Sequence, residues 1–327
     1  MKFFVIGGAG YIGSHFVKEA SRQGHQCYVY DNLSAGHRES IADCQEFIKG
    51  DVRRAVPLAN ALDAIKPDAV FHYAANALVA ESVEKPALYY DNNVIGTKTL
   101  LEVLMRRKEK PTLVFSSSCA VYGTPKSLPI EESTLLRPMS PYGRTKLICE
   151  FMIDDFCRAY KLKALALRYF NACGADLSGE IGESHSPETH LIANILLKTK
   201  NGESVSIFGN NYPTKDGTCV RDYIHVTDLA DAHMKAAIFL QNQEDGYFHA
   251  VNLGSGIGYS NLQILEEVEH VTGVNVKYQF VDARDGDPAE LYAVNNKATD
   301  MLGFNPQHSN LRNIIKTAWA WHQNPRY

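Results

Sequence analysis

The sequence lacks the features that mark several large classes of protein. Its 33 Lys and Arg against 37 Asp and Glu give a formal charge of −4, spread without blocks of one sign. It therefore has no basic stripe of the kind that a nucleic-acid partner needs. No apolar run approaches the ~20 residues of a membrane span. Since 45% of the residues are hydrophobic and 21% charged, we expect a globular protein with no nucleic acid and no membrane as partner.

Disulfide and metal motifs are missing as well. The seven cysteines are scattered, odd in number and without a C-x-x-C pair, which is typical of reduced thiols in a cytoplasmic protein. The 12 histidines include no H-E-x-x-H and no tight cluster with cysteine, so we expect no metal. At roughly 150 residues per domain, the 327 residues allow two domains or one large one.

Short apolar runs and amphipathic stretches alternate through the first half of the chain. The predicted strands are 2–6, 27–30, 47–48, 69–73, 113–115 and 164–167, and the predicted helices are 12–22, 56–65, 82–107 and 142–160. Regular alternation of this kind indicates right-handed βαβ units. The fold class is therefore α/β, a Rossmann-type doubly wound parallel sheet.

The pattern loosens after about residue 175. A loop over 175–188 is followed by irregularly spaced strands (205–208 and 276–278) and helices (228–240, 260–272 and 309–322). We expect a smaller C-terminal α/β substrate domain. The Rossmann domain then takes 1–175 with parts of about 216–255, and the second domain takes about 176–215 and 256–327. Ligands of open α/β sheets bind at the carboxyl ends of the strands, so the cleft between the domains is the expected site.

A glycine-rich loop follows the first strand. Gly7, Gly10 and Gly13 have the spacing G-x-x-G-x-x-G, and Asp31 follows eighteen residues later at the end of the second strand. The glycines allow a tight turn, close approach to a pyrophosphate and packing of the helix, whose N-terminus faces the phosphates. Asp31 suits a ribose 2′-hydroxyl and repels a 2′-phosphate. With the nearest arginine at Arg38, NAD is favoured over NADP.

Two Tyr-x-x-x-Lys pairs occur, at Tyr122–Lys126 and Tyr142–Lys146. The first contains Gly and Pro and indicates a turn. The second opens a predicted helix, which places both side chains on one face. There the charge of Lys146 is expected to lower the pKa of Tyr142, so that the phenolate acts as a base.

The run Ser116–Ser118 directly follows the strand 113–115. It therefore lies at a carboxyl end, beside the expected cofactor. A hydroxyl at this place can share the proton of a substrate alcohol with Tyr142, and we take Ser118 as the third catalytic residue.

Together these segments resemble the extended short-chain dehydrogenases/reductases that act on nucleotide sugars. The segments that carry the resemblance, nearly over the whole chain, are Gly7–Gly13, Ser116–Gly123, Tyr142–Lys146, Tyr89–Val94, Arg168–Asn171, Phe208–Gly209, Asp216–Thr218 and Val220–Val226. Among these enzymes the similarity is to the UDP-hexose 4-epimerases. It implies interconversion of UDP-galactose and UDP-glucose in galactose metabolism, by transient oxidation at C4 with retained NAD and a 4-keto intermediate.

The resemblance also implies roles for individual residues. Besides the glycines, the positions that match NAD contacts are Tyr11, Ile12, Asp31, Asn32, Asp51, Val52, Tyr73, Ala74, Ala75, Asn92, Ser116, Lys146 and Phe170. With Ser118 and Tyr142, the positions that match contacts to the UDP-sugar are Asn171, His190, Leu191, Phe208, Arg221, Arg284, Asp287 and Leu291. A pyrophosphate suits the guanidinium fork of an arginine.

Three positions depart from the pattern of the family. Ala77 stands where well-known members carry a Lys, which weakens one contact to NAD. His190 replaces an Asn, and Leu291 replaces a bulky Tyr that closes the sugar pocket in some members. Because the smaller side chain leaves room at C2, we hypothesise that UDP-N-acetylhexosamines are further substrates.

Other functions stay open at this point. A nucleotide-sugar 4,6-dehydratase is disfavoured because Ser118-Cys119-Ala120 has no carboxylate where such enzymes carry an acid. The remaining alternatives are another nucleotide-sugar epimerase, a UDP-glucuronate decarboxylase, and, with less support, a non-catalytic NAD-binding regulator. The resemblance also implies a homodimer, paired through the helices predicted at 82–107 and 142–160.

Overall fold

The computed structural model describes residues 1–284 and 287–327. Its strands in chain order are β1 (Lys2–Ile6), β2 (Gln26–Asp31), β3 (Glu46–Lys49), β4 (Ala69–His72), β5 (Thr112–Ser118), β6 (Ala164–Tyr169), β7 (Asn171–Cys173), β8 (Val205–Phe208), β9 (Val220–His225), β10 (Phe248–Leu253), β11 (Gly258–Ser260), β12 (Tyr278–Val281) and β13 (Glu290–Leu291). Its α-helices are α1 (Tyr11–Arg22), α2 (Ala55–Ile65), α3 (Val79–Glu84), α4 (Pro86–Tyr89), α5 (Gly96–Met105), α6 (Pro141–Tyr160), α7 (Leu191–Asn201), α8 (Val226–Gln241), α9 (Asn261–Thr272), α10 (Asn296–Leu302) and α11 (Leu311–Gln323).

The main sheet is parallel and has seven strands in the order β10-β6-β5-β4-β1-β2-β3. The chain runs outward from β1 to β2 and β3, then crosses back to β4 on the other side. The carboxyl ends of β1 and β4 therefore flank the switch point, where open α/β sheets bind their ligands.

Alternate residues of β1 pack into two hydrophobic layers, one on each face of the main sheet. Phe3 and Val5 join the layer with α1 and α8, whereas Phe4 and Ile6 join the layer with α2, α5 and α6. A strand buried on both faces is the reason that Phe3–Ile6 is uniformly apolar. Helices on both faces confirm the predicted doubly wound fold.

A smaller assembly of strands lies outside this sheet. β9 pairs with β7, β11 and β13, and β8 pairs with β12. Helices α7, α9 and α11 bury apolar side chains against it. β10 belongs to the main sheet although it follows β9 in the chain. Segments of the main sheet and of the smaller assembly therefore alternate along the chain.

The single helix predicted over 82–107 is wrong. Pro86 lacks an amide donor and restricts the residue before it, and Lys85 breaks the helix at φ −127°, ψ 56° between α3 and α4. A π-helical segment, Tyr90–Ile95, then leads into α5. Within residues 1–284 and 287–327, no helix has the length and apolar character to cross a bilayer.

Candidate functional site

The glycine loop lies at the carboxyl end of β1. Gly7 has φ +78°, and a Cβ atom there would lie 2.4 Å from the Ala74 nitrogen. A Cβ atom at Gly13 would lie 2.4 Å from the Gly7 oxygen, so this glycine lets α1 pack on the loop. A Cβ atom at Gly10 would meet only the Gly7 oxygen, at 3.5 Å. The backbone at Gly10 is thus open to a ligand, as the motif predicts.

The N-terminus of α1 fits an anion. Its cap, Gly10, has no side chain to accept the first amides, and the first turn has no acidic residue. The first helical bond runs from the Ser14 nitrogen to the Gly10 oxygen at 2.9 Å, so the amides of residues 11–13 precede it. These backbone donors and the helix dipole suit a pyrophosphate.

Asp31 closes this side of the loop. One carboxylate oxygen accepts the amide of Ala9 at 3.0 Å and the other accepts the amide of Leu33 at 2.7 Å. Burial raises the pKa of Asp31, against these two bonds. Each oxygen keeps an acceptor site, so the fixed carboxylate fits a ribose hydroxyl of NAD.

Most of the other positions predicted to contact NAD directly follow the carboxyl ends of strands of the main sheet. The amides of Tyr73 and Ala74, directly after β4, donate to the Ile6 oxygen at 2.8 and 3.1 Å. Asp51 follows β3, and its ion pair with Arg53 lowers its pKa to about 2. Further positions are Asn32 after β2, buried Val52, Ala75, Asn92 in the π-helical segment and buried Phe170. Ala77 is exposed.

The two Tyr-x-x-x-Lys pairs differ as predicted. Tyr122 precedes a turn, and its buried hydroxyl donates to Asn252 at 2.6 Å. Tyr142 and Lys146 lie in the first turns of α6, with the Lys146 nitrogen 5.9 Å from the centre of the Tyr142 ring. Burial lowers the pKa of Lys146 to about 8.

The effect of Lys146 on the pKa of Tyr142 stays a prediction, and the structure shows other neighbours for both groups. Burial raises the pKa of Tyr142 to about 12, and the neighbouring Ser118 hydroxyl acts against the effect of burial. The ammonium group of Lys146 points instead to the Ser116 oxygen, at 2.6 Å. Ser118 and Tyr142 are thus neighbours, while Lys146 binds the serine run through the Ser116 carbonyl.

A buried polar network behind the serine run was missed from the sequence. The Arg168 guanidinium makes a two-pronged pair with Glu150, with 2.6 Å between Nη2 and Oε2. Ser117 donates to Glu150 at 2.5 Å, and Arg168 donates to the Tyr122 hydroxyl at 2.9 Å. The network joins β5, β6 and α6. An arginine inside the otherwise apolar β6 was the available signal.

Most positions expected to hold the UDP-sugar lie in the smaller assembly. Arg221 of β9 pairs with Asp287 at 2.5 Å and lies opposite Leu291 of β13. The Arg284 guanidinium lies 3.9 Å from the centre of the Phe208 ring, a cation–π contact. The side-chain amide of Asn171, in β7, donates to the backbone carbonyl oxygen of Asp222 at 2.8 Å.

His190 and Leu191 stand apart from these contacts. His190 caps α7, whose first residue is Leu191, and its ring contacts Glu183.

Comparisons with known proteins agree with this geometry. Residues 3–254 match the profile described as the NAD dependent epimerase/dehydratase family. The chain is 48% identical to a UDP-glucose 4-epimerase of Lactobacillus helveticus, over 99% of this chain and 97% of that protein. A Brucella ovis UDP-glucose 4-epimerase in complex with NAD superposes with a TM-score of 0.93, at 46% identity and 97% coverage of both chains. A Bifidobacterium longum UDP-glucose 4-epimerase in complex with NAD+ and UDP gives 0.92, at 35% identity and 99% coverage of both.

Proposed function

The chain belongs to the NAD dependent epimerase/dehydratase family, and we infer that it interconverts UDP-galactose and UDP-glucose with NAD retained in the site. One observation carries this inference: Tyr142, Ser118 and Lys146 meet at the carboxyl end of β5, on the sheet edge that also holds the glycine loop. An alcohol placed beside this edge has a proton acceptor and a dinucleotide site next to it.

The residues of the first six strands hold the cofactor. When bound, NAD supplies the redox chemistry, since it takes the hydride from C4 of the sugar and returns it. The α1 amides bind the pyrophosphate and Asp31 the ribose. Lys146 fixes the Ser116 end of β5 and carries positive charge beside the predicted nicotinamide position.

Tyr142 and Ser118 handle the proton of the 4-hydroxyl. The neighbouring Ser118 hydroxyl lowers the pKa of Tyr142 against the effect of burial, so it favours the phenolate that accepts the proton. The resulting 4-keto sugar turns within the site before C4 is reduced on its other face. The same phenol then returns the proton, so each turnover leaves the proton balance unchanged.

The substrate side of the site comes from the smaller assembly. Arg221 and Arg284 supply guanidinium groups for the diphosphate, and the flat Phe208 suits the uracil. The sequence predicts residues 176–215 and 256–327 for this UDP-sugar-binding part, and we add to it the strands β7 and β9, which pair within the smaller assembly. The bond between Arg221 and Asp287 orients the guanidinium before a ligand arrives.

The test is a coupled assay without added NAD. Purified protein receives UDP-galactose, and UDP-glucose is detected. Turnover is expected, with a loss of about 10²–10⁴-fold in Tyr142→Phe and no loss in Tyr160→Phe, at the exposed end of the same helix. Failure to form UDP-glucose even with NAD supplied contradicts the proposal. Parallel reactions then test the alternatives: turnover of UDP-glucuronate indicates the decarboxylase, and turnover of another UDP-sugar indicates a different epimerase. Bound NAD without turnover of any of these sugars indicates the non-catalytic regulator.

A second activity, on UDP-N-acetylhexosamines, follows from Leu291. This half-buried side chain packs in a cluster with Tyr122 and Phe170, next to the predicted nicotinamide site. In Leu291→Tyr we expect turnover of UDP-N-acetylglucosamine to fall at least about tenfold and that of UDP-galactose to change little. Leu135→Tyr, at an exposed leucine, is the control. Unchanged activity of Leu291→Tyr on both sugars counts against this second activity.

We also propose a homodimer in a reducing cytoplasm. The segment 79–105 and the helix α6 expose apolar side chains, among them Val83, Leu88, Ile95 and Phe151, which suits helix pairing across a two-fold axis. Light scattering should give twice the mass of the 36.4 kDa chain. Phe151→Glu should halve that mass, and Leu135→Glu should not. A wild-type mass equal to one chain contradicts the dimer.

A further inference from the structure

Four side chains of one short segment direct their polar atoms to a common point. They are Glu183, His185, Glu188 and His190, and one donor atom from each lies within 4.8 Å of the other three. The Nδ1 atom of His185 is 3.3 Å from Glu183 Oε1 and 3.5 Å from Glu188 Oε2. The Nδ1 atom of His190 contacts the same Glu183 oxygen.

Glu188 gives an independent indication of a ligand here. Its side chain is 6% exposed. Its Oε1 atom accepts the amides of Thr189 and His190, both at 2.8 Å, which fixes the carboxylate. Its Oε2 atom is buried, faces the cluster and has no hydrogen-bond partner among the residues that the structure describes. The His185 Nδ1 atom lies 3.5 Å from it, too far for a good hydrogen bond. A buried carboxylate oxygen without a hydrogen bond is costly, and a cation held by both side chains satisfies it.

We propose that this cluster binds one Zn²⁺ ion. Two imidazole nitrogens and two carboxylate oxygens are a donor set that suits zinc, with bonds of about 2.0–2.2 Å. Such bonds in a tetrahedron place neighbouring donors about 3.3–3.5 Å apart. The two spacings from His185 match this distance, whereas His190 and Glu183 lie closer together and must separate to bind the ion. The two carboxylates balance the charge of the ion. Two nitrogen donors favour zinc over Ca²⁺ or Mg²⁺, which prefer oxygen.

The surroundings of the cluster give the ion a positioning role. Trp321 Nε1 of α11 donates to the backbone carbonyl oxygen of Glu183 at 2.8 Å, and His37 Nε2 lies 3.0 Å from the backbone carbonyl oxygen of Ser184. The His185 ring lies 6.4 Å from the ring of Tyr11, in the first turn of α1. An ion here fixes the segment that joins the cofactor side, α11 and the start of α7.

The predicted absence of a metal rested on motifs that do not describe this site. The signal in the sequence is Glu183-x-His185-x-x-Glu188-x-His190, four donors in eight residues. The spacing does not lie on one helix face, and a loop over 176–190 brings the donors together before α7 begins. The fold, rather than a helical repeat, makes the cluster.

The test measures zinc in the full-length protein, independently of activity. Wild type, His185→Asn, His190→Asn and the control His270→Asn are expressed with zinc and dialysed against metal-free buffer. His270 is exposed and lies beside Glu267, at 3.7 Å, so it is a matched His–Glu pair. We expect about one zinc per chain in wild type and in the control, and little in the other two.

Two further measurements use the same samples. Chelation with EDTA should lower the Tm of wild type by at least about 3 °C and added ZnCl₂ should restore it. Co²⁺ in place of zinc should give the visible absorption of a tetrahedral site. If His185→Asn fails to fold, His190→Asn, whose histidine is 45% exposed, carries the test. Zinc-free wild type with an unchanged Tm, zinc retained in both variants, or stabilisation by UDP alone overturns the proposal.

Discussion

The ammonium nitrogen of Lys146 lies 2.6 Å from the carbonyl oxygen of Ser116. This bond joins the first turns of α6 to the end of β5, and the lysine is 2% exposed. Loss of the cation removes both the anchor of the serine run and the positive charge beside the proposed nicotinamide site. In Lys146→Met we therefore expect kcat to fall at least about 10²-fold.

The other Tyr-x-x-x-Lys pair supplies the control for this experiment. Lys126 is exposed and follows a turn, so Lys126→Met should keep full activity in the same coupled assay. Circular dichroism checks that both variants are folded. Equal kcat values for a folded Lys146→Met and the wild type would show that Lys146 does not contribute to catalysis.

Alanine substitutions at two glycines with similar backbone conformations should differ in how much bound NAD they lose. Gly7 has φ +78° and Gly24 has φ +83°, but only at Gly7 would a Cβ atom meet backbone, 2.4 Å from Ala74 N. Gly24→Ala bears only the conformational cost of about 1 kcal/mol. Gly7→Ala should also push apart the loop and the end of β4, and so lose most of its NAD.

The amount of NAD released from heat-denatured protein measures this effect. Wild type and Gly24→Ala should release similar amounts, and Gly7→Ala less than about a tenth as much. NAD retained by Gly7→Ala would show that the loop tolerates displacement.

The buried pair of Arg168 and Glu150 predicts a large effect on stability. Both residues are less than 5% exposed, and Nη2 lies 2.6 Å from Oε2. Arg168→Met leaves the carboxylate buried without its partner, so we expect a loss of about 3–5 kcal/mol in the free energy of unfolding. Urea denaturation measures this as a lower midpoint.

An exposed pair with similar geometry is the reference. Arg158 lies 2.8 Å from Asp154 one helical turn away, with 75% of its side chain exposed. Arg158→Met should cost at most about 0.5 kcal/mol. Similar losses in the two variants would mean that burial does not decide the strength of the Arg168 pair.

His225 predicts a loss of stability in mild acid. Its Nδ1 accepts the Thr227 amide at 3.1 Å and its Nε2 lies 3.0 Å from Thr317 Oγ1, so the folded ring is neutral. Burial lowers its pKa to about 3, whereas an unfolded histidine binds a proton below about pH 6.5. Between these values the unfolded state binds more protons. Stability from this group therefore falls as the pH falls, by up to about 1.4 kcal/mol per pH unit.

His225→Asn should reduce this dependence. Asparagine keeps an acceptor at the start of α8 but takes up no proton. Urea unfolding between about pH 5.5 and 7.5 should show a shallower decline for this variant than for wild type or His270→Asn. Parallel declines for all three proteins would contradict the assignment.

Residues that are neighbours in the chain were predictable. The spacing of Gly7, Gly10 and Gly13, the apolar run Phe3–Ile6 and the helical placement of Tyr142 and Lys146 depend on backbone geometry within one or two turns. The predicted sheet, family and cofactor are confirmed for that reason. Pro86 was a sequence signal for the break at Lys85, but the apolar pattern on both sides of it led to the prediction of one continuous helix.

The sequence by itself determined the order of strands and helices, the glycine loop and the helical spacing of Tyr142 and Lys146, because each depends on local periodicity and on side chains close in the chain. Only the tertiary structure decided the partners of those groups. Tyr11 donates to Gly174 across 163 residues at 2.6 Å, and Tyr122 reaches Asn252 across 130. The environment of Tyr142, and hence its raised pKa, likewise depends on what packs around it. Burial and long-range contacts arise when distant elements meet, and no local pattern encodes which elements those are.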